Sequence, residues 1–373
     1  MTNTEAVPRP NSSGIGLQRT VGKVDRTRQA VLRSAVIPML GLLFILAALV
    51  AATIGAAGIP LSRLFAAFGL GAGDPALVAR DSLILWSIRV PRILLAGIVG
   101  GLLAAAGTIM QGLFRNPLAD PGLVGVSAGG ALAAASTIVF GDKVLAAYAI
   151  ALPFEILPVA AFLGALSTTV ILYRIATREG RTSIATLLLA GLAVSALAMA
   201  GVGLLVFMAD DRQLRDITFW TLGSLTGATW SKVITLAPVL GLLGLALPLI
   251  ARGLDLLVLG ESEAFHMGVE VERLKRIAII LTAALTGAAV SVAGVIGFVG
   301  IVVPHLLRLV IGPGHRLLLP SSLLLGAVLM VVADTFARMI VAPAELPIGI
   351  LTAVIGAPFF LVLLLRQRAF VGL

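Results

Sequence analysis

Arg89 and Arg92 flank the segment Arg89-Val90-Pro91-Arg92, and Arg338 follows Asp334 by four residues. A guanidinium is a planar fork of donors that fits a carboxylate with two bonds, so such groups can catch and orient an acidic partner. The same residues have a plainer use. Asp334 and Arg338 share one helix face and can pair with each other, and arginines near a membrane edge can extend to lipid headgroups. Motifs for bond-making chemistry do not occur. The chain holds no GxxxxGK[ST], HExxH or GxSxG, so it is not itself a P-loop ATPase, a zincin or an elbow hydrolase. It has no cysteine, which excludes disulfides and thiolate metal sites. His266, His305 and His315 are too widely spaced to suggest a metal cluster. His305, in Val303-Pro304-His305-Leu306, reads better as a histidine held at a helix kink than as a heme or metal ligand.

These residues sit on elements that composition makes membrane-bound. Of 373 residues, 59% are hydrophobic and 12% charged, with mean hydropathy +1.09. A soluble domain carries about 25% charged residues, so lipid must be the solvent for most of this surface. Uncharged runs long enough to span recur, among them 93–114, 182–209 and 277–307. The last contains Gly294, Gly297, Gly300 and Pro304 and reads as one helix plus the start of another. At ~20 residues per span the chain is an all-α polytopic membrane protein of about ten helices, expected at 36–57, 92–111, 121–140, 155–174, 183–208, 231–250, 274–294, 297–311, 318–340 and 348–365. Gly/Pro breaks in corresponding segments suggest pseudo-symmetric inverted halves. The 41 glycines suit close helix approach, although at this content the pair Gly97/Gly101 has little weight.

The net charge of +9 does not indicate nucleic acid, because the basic residues lie on membrane loops. Most of them fall inside if both termini are cytoplasmic. Residues 1–34 read as a disordered cytoplasmic tail rather than a signal peptide, and 35–373 as the ten-helix transmembrane domain. Asp210–Asp216 falls outside and leads to a short helix at 217–230, with Trp220 and Trp230 at interfacial depth. The inner loop 252–276 reads as two short amphipathic helices joined at Gly260. It is either a docking surface or a plain connector. Asn116-Pro117-Leu118 ends the second span, as an ordinary helix stop or as a pore constriction.

Taken together, RVPR (Arg89–Arg92), Met110–Gly129, Leu187–Gly191, Leu259–Val269, Gly297–Leu309, His315–Pro320, Ala333–Met339 and Glu345–Leu364 resemble the FecCD family of permease subunits of ATP-driven importers for heme, iron-siderophores and vitamin B12. The resemblance implies a homodimer in the bacterial inner membrane. Two cytoplasmic ATPase subunits would carry the ATP and Mg and seat on Leu259, Gly260, Glu261, Ala264 and Gly268. A periplasmic binding protein would dock on Arg89, Arg92 and Arg338. Asn116 and Leu118 would form the inner gate. The other gate segment, Ser183-Ile184-Ala185-Thr186, departs from the Ser/Thr-rich version of the B12 permeases. This chain would bind no cofactor and no metal and would catalyse nothing itself. The Phe114–Gly122 stretch is more similar to heme permeases, which makes heme the first expectation and a ferric siderophore or vitamin B12 the second. An ion-coupled carrier is the remaining alternative; it needs an acidic residue in mid-membrane, and Asp334 is the candidate.

Overall fold

A computed structural model describes residues 13–55, 58–148, 155–342 and 344–371. The helices are α1 (Ser13–Thr53), α2 (Leu61–Ala67), α3 (Pro75–Ile84), α4 (Val90–Leu113), α5 (Val126–Tyr148), α6 (Ile156–Ala176), α7 (Ile184–Met208), α8 (Asp211–Leu222), α9 (Trp230–Leu257), α10 (Glu261–His266), α11 (Val271–Ala293), α12 (Val299–Ile311), α13 (His315–Ile340) and α14 (Ile348–Val371). A two-residue hairpin, β1 (Thr177–Arg178) and β2 (Arg181–Thr182), stands between α6 and α7. Eight helices among the described residues are long and apolar enough to cross a membrane, and the shorter apolar stretches Val126–Gly141 and Val299–Ile311 bring the set to the expected ten.

Several boundaries differ from the sequence reading, each for a local reason. Helix α1 begins at Ser13, inside the segment expected to be a disordered tail; the first twelve residues of that segment lie outside the described residues. No proline falls between Ser13 and Ile37, so a helix nucleated in the apolar run can extend backward at little cost per residue. The second span does not start at Arg92. Helix α3 runs through a π-helical turn, Leu85–Arg89, directly into α4. Pro91 lacks an N–H and its ring crowds the carbonyl four residues back. The ladder therefore slips by one residue, and the Val90 N–H bonds the Leu85 carbonyl. The expected helix at 217–230 is α8, which starts earlier because Asp210 and Gln213 form a reciprocal capping box. Trp230 instead opens α9 and donates its indole N–H to the Trp86 carbonyl. In 252–276 only α10 is a separate short helix. Its expected partner is the end of α9, where Leu254 and Leu257 are buried in the core.

The run 277–307 divides as expected. Helix α11 stops at Gly294, whose φ of +71° terminates it, and α12 starts after Phe298, itself at φ +69°. At the centre lies α4, packed on α13, α11, α12 and α9, while α5, α6 and α7 pack together, α5 and α6 also onto α11. The α4–α13 and α4–α12 contacts are backbone on backbone. A Cβ at Gly100 would collide with the Gly326 carbonyl, one at Gly326 with the Gly100 carbonyl, and one at Gly107 with the Gly300 carbonyl. Lipid offers no hydrophobic drive for helix association, so this closeness supplies the packing energy. The decisive glycines are thus Gly100, Gly107, Gly300 and Gly326. Gly97 meets the side chain of Phe44, and Gly101 the carbonyl and side chain of Leu323, less closely.

Candidate functional site

Two polar clusters lie at opposite ends of the bundle. The first is built where α1 ends, α4 begins and α13 ends. The last carbonyls of a helix have no partner in the helix, and α1 directs its own at Arg89. The Arg89 guanidinium donates to the carbonyls of Ala52 at 2.8 Å and Ala51 at 3.5 Å, and also to that of Ile54. Arg338 donates to Ile54 as well, at 3.2 Å. A cation at a helix C-terminus is favourable by the helix dipole.

Arg92 faces two carboxylates. Its Nε and Nη2 bond Asp334 at 3.0 and 2.9 Å, and its Nη1 and Nη2 bond Glu345 at 2.8 and 3.1 Å. Arg338 closes the group with an Asp334 contact at 3.1 Å, the i,i+4 pair anticipated from the sequence. Thr226, in the loop after α8, donates to Glu345 at 2.6 Å. The Asp334 side chain is 5% exposed, Arg92 and Arg338 12% each, and Glu345 35%. Burial pushes the Glu345 carboxyl up. The hydrogen bonds from Arg92 and Thr226 and the charges of Arg92 and Arg338 outweigh that and hold it below the usual carboxylate value.

Of the three arginines expected to meet a partner, Arg89 is buried and turned onto α1, while Arg92 and Arg338 lie just under the surface, already paired. The sequence reading missed Glu345. Its signal was its place three residues before α14, beside Pro347, on a loop that returns to the arginines.

The second cluster is at the other end. Helix α4 finishes in a Schellman turn. Phe114 is the cap and Arg115, at φ +51°, takes the left-handed position; Asn116 N–H bonds the Gln111 carbonyl and Arg115 N–H the Gly112 carbonyl. The exposed Asn116 accepts at its side chain from Leu118 N–H, 2.9 Å, which fixes the turn. Gln111 behind it donates to the Gly300 carbonyl and accepts from Arg308. His315 is buried and contacts Asp255 by ring and by backbone N–H, at 2.8 and 2.7 Å, tying α13 to α9. His305 stacks edge-on to Phe359, beside Pro304 in α12.

Helix α10 protrudes at this end. Gly260 and Gly268, at φ +129° and +84°, bracket it. A Cβ on Gly260 would also strike the Glu263 carboxylate. Ala264 is the buried residue of α10, whereas Val258, Leu259, Phe265 and Met267 are more than half exposed. Lys275, on α11, is 3% exposed; it bonds Glu261 of α10 and Glu272 of α11 at 2.8 and 3.0 Å. The expected coupling residues Leu259, Gly260, Glu261, Ala264 and Gly268 thus come together on one protrusion, while the docking arginines and the gate turn stand apart from it. Between the two ends, a cleft of ≈ 500 Å³ between α12, α13 and α14 is lined by apolar residues such as Phe298, Phe336 and Ile355 apart from Thr352.

Comparison with known proteins identifies the family of this two-ended helical bundle. Residues 42–366 match the FecCD transport family. The chain belongs to the FecCD family. It is a permease subunit of an ABC transporter and not the ATP-hydrolysing subunit. The hemin transport system permease protein HmuU of Yersinia pestis is 48% identical over 296 residues, covering 76% of this chain and 84% of that one. The cobalamin import system permease protein BtuC of Halobacterium salinarum is 45% identical over 285 residues, covering 76% and 74%. Among solved structures, one described as an inward-facing metal-chelate-type ABC transporter is 33% identical with TM-score 0.76. That match covers 89% of this chain and 99% of that chain.

Proposed function

We propose that this permease pairs with a second copy of itself to form the path of an ATP-driven importer. Two ATPase subunits seat on α10 and a binding protein docks at the arginine end. The observation that carries this reading is the polarity of the bundle. One pole presents guanidinium–carboxylate pairs just below the surface. The other presents exposed Val258, Leu259, Phe265 and Met267 around a glycine-bracketed helix. A small apolar knob on a polar loop suits a protein socket. Arg115, Arg174, Arg178, Arg181, Arg252, Arg273, Arg276 and Arg316 all cluster toward the α10 pole, which makes it cytoplasmic in the bacterial inner membrane. Helices α7 and α14 have the least buried windows, 22% and 17%, with α1 also at 22%. They are therefore available to a second copy and to lipid. An ion-coupled carrier fits less well, because Asp334 sits at the arginine pole, doubly paired, and not in mid-membrane.

Docking would engage Arg338 and Arg92, backed by Arg89, with Asn116 and Leu118 at the cytoplasmic gate. Charge reversal Arg338→Glu is expected to weaken binding-protein docking, and a glutamate-to-arginine change on the partner to restore it; unchanged docking by the reversed permease overturns the assignment. Arg89→Glu is the poorer probe, because it would also uncap α1.

The proposed cargo is heme. The support is the Phe114–Gly122 stretch and the 48% identity to the hemin permease. The 45% identity to a cobalamin permease keeps cobalamin, with ferric siderophores, as the second reading. The test is ATP hydrolysis by the reconstituted complex with its binding protein. Stimulation by hemin above cobalamin and ferric siderophore supports heme; the reverse order reassigns the cargo.

A further inference from the structure

We infer that Lys275 is a positioning residue that transmits movement of α10 to the first turn of α7. The inference rests on the proposed seating of an ATPase on α10. Lys275 projects from the first turns of α11 into a buried site, 3% exposed. A lysine there is stable only with its charge compensated, and here three elements compensate it. Glu261 of α10 accepts at 2.8 Å, Glu272 at 3.0 Å and the Thr182 carbonyl at 3.3 Å. Glu272 is bidentate in role, because its second oxygen accepts the Thr182 N–H at 2.9 Å. Both backbone groups of Thr182 are thereby fixed to the Lys275–Glu272 pair.

Thr182 ends a hairpin that is itself stiff. The turn residues Glu179 and Gly180 have φ +52° and +77°, the two positive values of a type I′ connection. The Thr177 and Thr182 hydroxyls are 3.1 Å apart across the strands, and Ser183 N–H bonds the Ala176 carbonyl. The next residue, Ser183, is the N-cap of α7, accepting from Thr186 N–H at 3.2 Å. A displacement of α10 therefore reaches α7 through Glu261, Lys275 and Thr182, a continuous chain of hydrogen bonds. Of the neighbouring basic residues on α11, Arg273 stays outside this node, and Arg276 reaches it only through Tyr173, whose hydroxyl also meets Thr177 and Thr182. Arg273 meets Glu270 at 3.6 Å, and Arg276 donates to the Tyr173 hydroxyl at 3.2 Å.

The experiment uses the full complex in liposomes with its binding protein, with hemin as probe. It compares Lys275→Met, Glu272→Ala and Lys275→Arg. The chain contains no cysteine, so Ala185→Cys, in the first turn of α7, adds a readout independent of cargo: its maleimide reactivity with and without nucleotide. We expect Lys275→Met and Glu272→Ala to keep ATP hydrolysis, to lose roughly tenfold in uptake per ATP, and to lose the nucleotide-dependent change at position 185. Lys275→Arg should restore both. Glu272 is a third exposed, so Glu272→Ala decides the matter if Lys275→Met does not assemble. Uptake per ATP and nucleotide response equal to wild type in Glu272→Ala overturn the inference, as does a parallel loss of hydrolysis and uptake. A wild-type complex that shows no ATP-dependent response of either kind overturns the ATPase reading itself, and the inference with it.

Discussion

Asp334 and Glu345 both bind Arg92, yet they are unequal. Asp334 is buried between two arginines, so Asp334→Asn leaves two guanidinium groups short of a countercharge and should cost about 3–5 kcal/mol. Glu345 is a third exposed and water screens its pair, so Glu345→Gln should cost about 0–1 kcal/mol. Thermal unfolding of the purified permease checks both; equal losses would mean that the burial difference is not what matters. The Glu345 carboxyl lies below the ordinary glutamate value of 4.5. Its contribution is fully present above that value and is lost as pH falls through its depressed one. The melting temperature should therefore gain nothing from this pair between neutrality and pH 4.5, and the Glu345→Gln variant should lose less than wild type on further acidification. At this scale the sequence was half legible. The i,i+4 spacing of Asp334 and Arg338 told of their pair. No spacing relates Arg92 to Glu345 or Lys275 to Thr182, because those meetings depend on how distant helices pack.

Elements were more legible, since hydropathy and breakers are local properties. The break in 277–307 followed from its glycines and proline, and α14 from its uncharged run. The π-turn at Leu85–Arg89 was not anticipated, although Pro91 was its cause. The weight on Gly100 and Gly326 was also hidden, since a glycine's use is set by the helix opposite. Replacing either with valine should prevent α4 and α13 from closing, at a cost of about 1–3 kcal/mol or more, and should abolish the folded monodisperse species in size-exclusion chromatography. Gly41→Ala, where nothing lies within 4 Å of the added carbon, should leave it intact. Gly260→Ala should leave the bundle folded and distort α10, so ATPase subunits should no longer co-purify. Co-purification at wild-type yield would remove Gly260 from the seat.

For the whole molecule, composition was sufficient to give a multi-helix membrane protein, and motif order was sufficient to give its family. Cargo was not legible, because a ligand handed over by another protein, as proposed, would need few dedicated contacts, and the cleft between α12, α13 and α14 is almost wholly apolar. What the folded chain adds is the state of its arginine pole. Four of the five N–H groups of the Arg92 guanidinium are already taken, so a delivery protein docking there, as proposed, would evict a tenant instead of filling a vacancy. Its grip would be the difference between the ion pair lost and the one gained. A shuttle that left after each consignment would gain from that arrangement, since Glu345 stands ready to reclaim the arginine and see it off.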